Sequence, residues 1–557
     1  MRSLNRMAVR ALATVFCYTA LTACSDLKEQ PTTFLSPSQF YKNDADLEAA
    51  VNGAYEPLMD WNLYRQPSWI EVACDEPELE CQNWMDGGFD GDQAGQWYVS
   101  RPWTGDYQMI ALANNILTNA PQSPGASAAE KKLAAGQAYF LRGWAYFDLA
   151  NRYGSAPLRL TPFSYTAGGG ALARAPLADT YNQAVKDLKL AIDSLPATIY
   201  TDAMGGGRPT SVAAWGMLAK VYLTMAGHQL DTTALSSAKA FYNDSARQAA
   251  LQVMNSNLYG LAQNYMDVFN IALQGSSTEI MVAVEASNTG AAGSEVADYF
   301  TPPDATLGGG GGQGFISLRR DFFDTFESGD LRVAPNTATF VHFNYSYQKG
   351  VAGPPGILLD SLPELNAIKD SVVNYGAWEQ QCGDYGINQH LIITQSGSAT
   401  DTTIYAVTDQ IFPMKYVDKT ALSKEGNSNH MILLRYAEVL LIYAEAENEV
   451  NGPDGAAYGA INLVRQRAGL GTLGSVAQAD FRTAVWTERQ HELYGEFQSK
   501  WDLLREGRWL TVENASSTVA PYSNDGPCRP RSAYQAYFPL PQSELAGNPM
   551  AKQNTGY

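Results

Sequence analysis

Long apolar runs are nearly missing from this sequence of 557 residues. The one uniformly small or apolar stretch, Ala11 to Ala23, would be ~20 Å long as a helix, short of the ~30 Å hydrocarbon core of a bilayer. Nothing else comes close to the length of a spanning helix, so the chain is read as crossing no membrane. Cysteine is scarce, at 6, and histidine at 5. No C-x-x-C occurs, and His228, His342, His390, His430 and His491 are scattered, which argues against a zinc site. Basic residues are also short, with Lys+Arg 38 against Asp+Glu 57 and a net charge of −19. Residues 1–23 carry Arg2, Arg6 and Arg10 and no acid, so without them the charge becomes −19 − 3 = −22. Binding to a phosphate backbone depends on cationic neutralisation, so nucleic acid is not an expected partner.

Signatures of catalysis are missing as well. His491-Glu492-Leu493-Tyr494-Gly495 lacks the second His of a zinc-protease helix, and there is no G-x-S-x-G. Gly309 to Gly314 fits G-x-G-x-x-G only because it is nearly all glycine, with no strand before it. Carboxylates are plentiful, but a glycosidase needs two at a set separation, which spacing along a chain does not establish. No catalytic residue is assigned, and the protein is expected not to be an enzyme.

What is present begins with an address. A cationic start, the short apolar run and Leu21-Thr22-Ala23-Cys24 resemble a bacterial lipobox, making residues 1–23 a signal peptide and Cys24 the lipid attachment site. Residues 24–35 then form the lipidated Cys and a polar tether, and 36–557 the body. In an exported protein Cys74 and Cys81 are expected to close a small disulfide loop, which leaves Cys382 with Cys528; the alternative is two unpaired, partly buried thiols.

Hydrophobic residues at 45% and charged residues at 17% exclude disorder as a global description, and the length sets a prior of three or four domains. Helical signals recur. Ser36-Pro37-Ser38-Gln39 reads as a cap opening a helix to about Met59. Further helices are expected over Tyr107–Asn119, Lys131–Tyr153, Pro176–Leu195, from a start at Arg208-Pro209-Thr210-Ser211, over Asn243–Asn255, His430–Val450, Asp454–Arg467 and Ala484–Arg508. Trp215, Leu218, Ala219 and Tyr222 follow the W-x2-L-G-x2-Y spacing of a tetratricopeptide first helix, with Ala for Gly; Tyr436, Val439, Leu440 and Tyr443 repeat the spacing, and Ala145 with Pro157 fits the second helix. The expected fold is mainly α, with tetratricopeptide-like helical hairpins over about 36–256 and 430–510. A loop-rich half with short strands is expected over about 259–429.

Five of the tryptophans, Trp61, Trp69, Trp84, Trp97 and Trp103, fall within 43 residues, where about one is expected from uniform spread. Gly87, Gly88, Gly91 and Gly95 punctuate the same stretch, so it reads as loop. Sugar rings stack C–H faces on indole and phenol while their hydroxyls seek amides and Arg. Trp84 and Trp97 are therefore the candidate platforms, with Asn83, Gln96 and Arg101 as polar neighbours and Tyr299, Phe300 and Phe315 flanking the second Gly-rich loop; Trp103 reads as packing. Asp75, Glu76, Glu78, Glu80, Asp86, Asp90 and Asp92 read as a solvated acidic loop. Calcium is the one metal left open, at Asp86, Asp90 and Asp92, although no bidentate Glu follows at the EF-hand spacing.

Several blocks carry a family resemblance. AAGQAYFLRGWAYFDLANRYGSAP (Ala134–Pro157) resembles a block built on FLRA-x-x-YF-x-L-x-x-x-YG-x-x-P. LLRYAEVLLIYAEAENEV and AAYGAINLVRQRAGL are similar to RYAEVLLxYAEAxNE and AxxxINxVRxRAGL, and Glu488–Leu504 to E-R-x-x-E-L with a later D-L. The ending YFPLPQSELAGNPMAKQNTGY resembles P-x-P-x-x-E-L-x-x-N-P-x-x-x-QN-x-G-Y. These belong to the SusD/RagB-like outer-membrane lipoproteins of Bacteroidota-type nutrient uptake. Where the pattern has E-G-x-R, this chain has Glu496-Phe497-Gln498-Ser499, so the expected Gly and Arg are Phe497 and Ser499. The resemblance implies a surface-exposed lipoprotein that captures oligosaccharide and hands it to a SusC-like TonB-dependent transporter. Capture of peptide, an unrecognised glycoside hydrolase and a helical scaffold are the alternatives.

Overall fold

A computed structural model describes residues 40–60, 63–65, 76–81, 94–95, 97–162, 170–199, 207–227, 238–288, 293–301, 312–335, 337–347, 389–394, 403–421, 426–519 and 531–557. Cys24, Cys74, Cys382 and Cys528 lie outside the described residues, as do Asn83, Trp84, Gln96, Asp86, Asp90 and Asp92; Cys81 is described in its backbone alone.

Helices form a continuous layer. They are α1 (Asp44–Met59), then, after the short strand β1 (Leu79–Cys81), α2 (Trp97–Asn119), α3 (Ala128–Tyr153), α4 (Leu177–Ser194), α5 (Ser211–Gly227) and α6 (Lys239–Ser256). Each packs on the next in sequence. Local chemistry sets their limits. The Ser127 hydroxyl accepts from the Glu130 N–H at the start of α3, and Gly154 closes it at φ +74°. The first helix begins at Asp44, capped by Asn43, later than the Ser36 signal suggested.

Small residues let these helices approach. A Cβ on Gly143 of α3 would sit 3.2 Å from Leu188 Cγ and 3.3 Å from the Ala184 carbonyl of α4. Ala134, Ala138, Leu141, Ala145 and Leu149, the expected stripe of α3, are all buried. The tetratricopeptide-like positions of α5 behave as expected: Leu218, Ala219 and Tyr222 are buried and Trp215 is packed against the core. One polar clamp crosses the layer, where Arg142 binds Asp187 at 2.8 and 2.7 Å and Asn114 at 2.7 Å.

Beyond α6 the chain is more ordered in strands than the sequence suggested. β2 (Ile280–Val284), the short helix α7 (Val296–Phe300), β3 (Ile316–Leu318), β4 (Thr339–Tyr347), β5 (Gln389–Thr394), β6 (Thr403–Pro413) and β7 (Met431–Arg435) follow in order. Antiparallel pairing runs β1-β3-β6-β4, with β5 also on β6, and β2 pairs separately with β7. Ile411 of β6 meets Leu318 of β3 and Val341 of β4, while Thr408 meets Asn344 and Gln389. The expected strands are present, and their pairing is what the sequence does not show: residues 316–413 contribute four strands of a five-stranded sheet, with β1 joined to β3 from far away in the chain.

The last helices are α8 (Tyr436–Asn451), α9 (Gly455–Arg467), α10 (Gln478–Leu493), α11 (Ser499–Arg505) and α12 (Trp509–Val519). Two expected helices are therefore divided. His430–Val450 is strand then helix, because Met431–Arg435 pairs with β2. Ala484–Arg508 breaks between Leu493 and Ser499, where Gly495 and Phe497 have φ of +67° and +61°. Residues 531–557 fold back over α3 and its loop: Phe538 N–H donates to the Arg152 carbonyl at 2.7 Å, and Asn554 reaches the carbonyls of Tyr153 and Phe538 at 3.1 and 2.8 Å.

Candidate functional site

The site is built at the start of α2, which begins ten residues before the expected Tyr107; the loop reading of residues up to Gly105 is corrected from Trp97 on. Pro102 and Gly105 weaken helix propensity, but tertiary contacts override it. Trp103 is buried, edge-on to Tyr153 at 5.0 Å, and its backbone N–H donates to the Tyr153 hydroxyl at 3.1 Å. That hydroxyl in turn donates to the Val99 carbonyl at 2.6 Å. On the other side Gln542 N–H donates to the Ala94 carbonyl at 2.7 Å. Helix register and the backbone ahead of it are thus held from two sides.

Trp97, the first residue of α2, is 37% exposed on this fixed backbone. Its ring meets Tyr98 at 5.7 Å in an edge arrangement, and the Arg101 guanidinium lies 5.1 Å from its centroid, one turn along. The cation lies over the indole face, and the part-exposed ring remains a stacking surface.

Tyr299 and Phe315 meet each other edge-on at 5.5 Å, but Tyr299 is only 5% exposed and Phe300 is fully buried. The expectation that Tyr299 and Phe300 face a ligand is corrected by their burial, while Phe315 is partly buried and packed against the core. All of α7 is buried, and the end of the glycine-rich loop closes over it through Gln313 N–H to the Asp298 carbonyl at 2.6 Å. A Cβ on Gly312 would collide with the carbonyls of Asp298 and Thr301, so the glycine serves close backbone approach.

Glu76 and Glu78 are corrected too: neither is solvated. Glu76 accepts from the Ser499 backbone N–H at 2.8 Å and Glu78 from the Ser499 hydroxyl. Ser499 is where the family pattern has Arg. Phe497, where it has Gly, adopts the left-handed backbone that pattern implies, and its ring packs at 6.0 Å from Phe300 and 6.3 Å from Tyr416.

A buried ionic hub was not anticipated. Arg435 binds Glu496 at 2.8 and 2.9 Å, Glu279 at 2.8 Å and Glu492 at 2.5 Å. Arg332 binds Asp330 at 2.7 Å and Glu488 at 2.6 Å, and Arg467 joins Glu279 at 3.0 Å and Glu492. Lys415 Nζ donates to Glu496 at 2.8 Å and to the Tyr494 carbonyl at 2.6 Å. Burial alone would raise the Glu492 and Glu496 carboxyls; their cationic neighbours outweigh it and hold both below the usual range. Burial brings Lys415 down to about 8, against the pull of Glu496. Paired in this way, these carboxylates are occupied as structural acceptors.

Next to the hub is a cavity of about 40 Å³ lined by Trp144, Asp148, Arg152, Lys220, Arg489 and Trp501 among others, room for a few waters rather than a sugar. Among the described residues no group of three or more His, Cys, Asp or Glu is placed to hold a metal ion, and no helix is long and apolar enough to cross a membrane.

Comparison with known proteins follows the same architecture. Residues 225–557 match the model described as "SusD family", and residues 26–223 match one described as "Starch-binding associating with outer membrane". SusD-like protein P2 of Formosa agariphila is 26% identical over 96% of this chain and 97% of its own. A SusD homolog from Bacteroides thetaiotaomicron superposes with a TM-score of 0.74 at 22% identity, covering 94% of this chain and 98% of that one. A protein described as a laminarin binding SusD-like protein gives 0.68 at 18% identity, covering 93% and 100%. With the helical layer, the sheet and both halves of the sequence accounted for, the chain belongs to the SusD family.

Proposed function

We propose that this protein is a cell-surface lipoprotein, anchored through Cys24 to the outer membrane, that captures oligosaccharide without cleaving it and delivers it to a SusC-type TonB-dependent transporter. The observation that carries the reading is Trp97, an exposed indole on a backbone fixed from two sides, with Arg101 over its ring. An immobile platform loses little entropy on stacking against a sugar face. The described similarity of a laminarin binding neighbour supports a glycan as the ligand class, and the family description supports the outer membrane as the location. Trp84, Asn83 and Gln96, close in sequence to Trp97, are proposed to complete the surface, with calcium at Asp86, Asp90 and Asp92 as an optional occupant.

The test is calorimetric titration of the mature body with a panel of neutral glycans and of peptides, repeated for Trp97→Ala and Arg101→Ala. A stacking platform contributes about 1–2 kcal/mol, so Trp97→Ala is expected to weaken glycan binding roughly 5–30-fold. Glycan recovered after incubation should be uncleaved. Binding of peptides alone, or wild-type glycan affinity in Trp97→Ala, overturns this assignment. For the anchor, Cys24→Ala should abolish the acyl mass seen on the wild type.

A further inference from the structure

Glu76 and Glu78 approach β1 as two almost fully buried carboxyls joined through one residue of another element, Ser499 at the start of α11. Each uses Oε1 for that contact. The second oxygen of each, Oε2, is buried without a hydrogen-bond partner. Among the described residues, the charged and titratable groups facing the pair are Asp502 of α11 and Lys415 and Tyr416, just after β6; Gln490 of α10 adds a neutral bond to Glu78. Lys415 spends its ammonium on Glu496 and Tyr494, and Asp502 is held between Arg489 and Arg505 at 2.9 and 2.8 Å. Among the described residues no Lys or Arg forms an ion pair with Glu76 or Glu78.

We propose that a proton, held on Glu76 or Glu78, takes the place of a cation here and makes the β1–α11 contact a pH-sensitive latch that opens as pH rises. Two desolvated carboxylates on one serine cannot both be ionised without strong repulsion, and protonation of one removes a buried charge that no cation compensates. Burial pushes Glu78 up to about 7, and burial together with the charge of Glu78 pushes Glu76 well above its ordinary value. The sign follows from proton uptake on closing. The stabilisation is complete below the ordinary carboxyl value of about 4.5 and is lost as pH rises through about 7. What the latch holds is β1, whose Leu79 and Cys81 pair with Leu318 and Ile316 of β3, and the Glu78 carbonyl, which accepts from Arg319 N–H at 2.9 Å.

Hydrogen exchange read by mass spectrometry on peptides covering 76–81 and 316–319, corrected for intrinsic exchange, tests the latch from pH 5.5 to 8.5. A carboxyl titrating at about 4.5 when open and about 7 when closed raises the opening constant roughly twenty-fold between pH 5.5 and 7.5. Wild type should show that rise. Replacing both carboxyls, Glu76→Gln with Glu78→Gln, leaves nothing to titrate at the contact, and Ser499→Arg brings a cation to the pair; both variants should lose the rise. Glu506→Gln should keep it, although burial lifts Glu506 to about 8 as well. A pH-independent wild type, a rise that survives in the double variant, or one abolished by Glu506→Gln overturns the proposal. Should Ser499→Arg fail to fold, the double variant decides alone.

Discussion

The packed faces of helices α2 to α6 and the ionic hub around Arg435 are both buried but are held together in opposite ways. The helical layer closes by volume: alanines, Gly136 and Gly143 bring backbones close, and polar clamps such as Arg142–Asp187 are set into apolar packing. The hub closes by charge: Arg332, Arg435, Arg467 and Lys415 are compensated by Asp330, Glu279, Glu488, Glu492 and Glu496, drawn from strands, helices and turns far apart in sequence. A layer closed by volume fails when atoms are added, whereas a centre closed by charge fails when one partner is removed.

The largest expected effect tests the second half of that contrast. Arg435→Leu leaves Glu279, Glu492 and Glu496 short of a cation, and removing one member of a buried pair typically costs about 3–5 kcal/mol. Urea unfolding should report it; a cost below ~1 kcal/mol would mean the hub reorganises freely. Gly143→Val should cost less, about 1–3 kcal/mol, because the added carbons must displace α4 at Ala184 and Leu188. An unchanged urea midpoint would show that the helices are looser than their spacing implies.

Next comes pH, where Glu492 and Glu496 of the hub and Asp106 of the helical layer should respond with opposite signs. Glu492 and Glu496 are held below the usual range, so their stabilisation is present above about 4.5 and lost as pH falls through their folded values. Asp106 of α2, raised by burial and then by the charge of Asp148 on α3, contributes in the other direction: its share is present below about 3.8 and lost as pH rises through its folded value. Asp106→Asn should flatten the alkaline side of the α2–α3 exchange profile and leave the acid side of the hub alone. Equal flattening in both regions would refute the division. The smallest effect is Trp97→Ala, at the part-exposed first position of α2, for which under about 1 kcal/mol of stability should be lost. A larger loss would return this ring to packing.

Legibility in the sequence follows how local each cause is. Helices α3, α4 and α9 were placed to within a few residues, because caps and 3.6-residue stripes lie within the segment itself. The sheet was missed although TFVHFNYSY alternates in sequence, since β4 finds its partner β6 across a long intervening stretch. The first turns of α2 were read as loop because Pro102, Gly105 and clustered tryptophans are loop signals, and the deciding contact, Trp103 with Tyr153, comes from another helix. Of the candidate site, Trp97 and Arg101 were legible as an aromatic and its polar neighbour. Tyr299 and Phe300 were not legible as core, since nothing in their own neighbourhood announces that α7 is covered. Glu76 and Glu78 looked like members of an acidic run, and only Ser499 sets them apart.

The bond from Gln542 to Ala94 ties the start of α2 to a segment made long afterwards. During synthesis the helices around α3 can close as they emerge, whereas this bond forms only once the segment bearing Gln542 arrives. A chain interrupted before that point would carry Trp97 and most of its scaffold, yet would lack this bond ahead of the ring. Completion of the polypeptide is thereby coupled to the hold on Ala94.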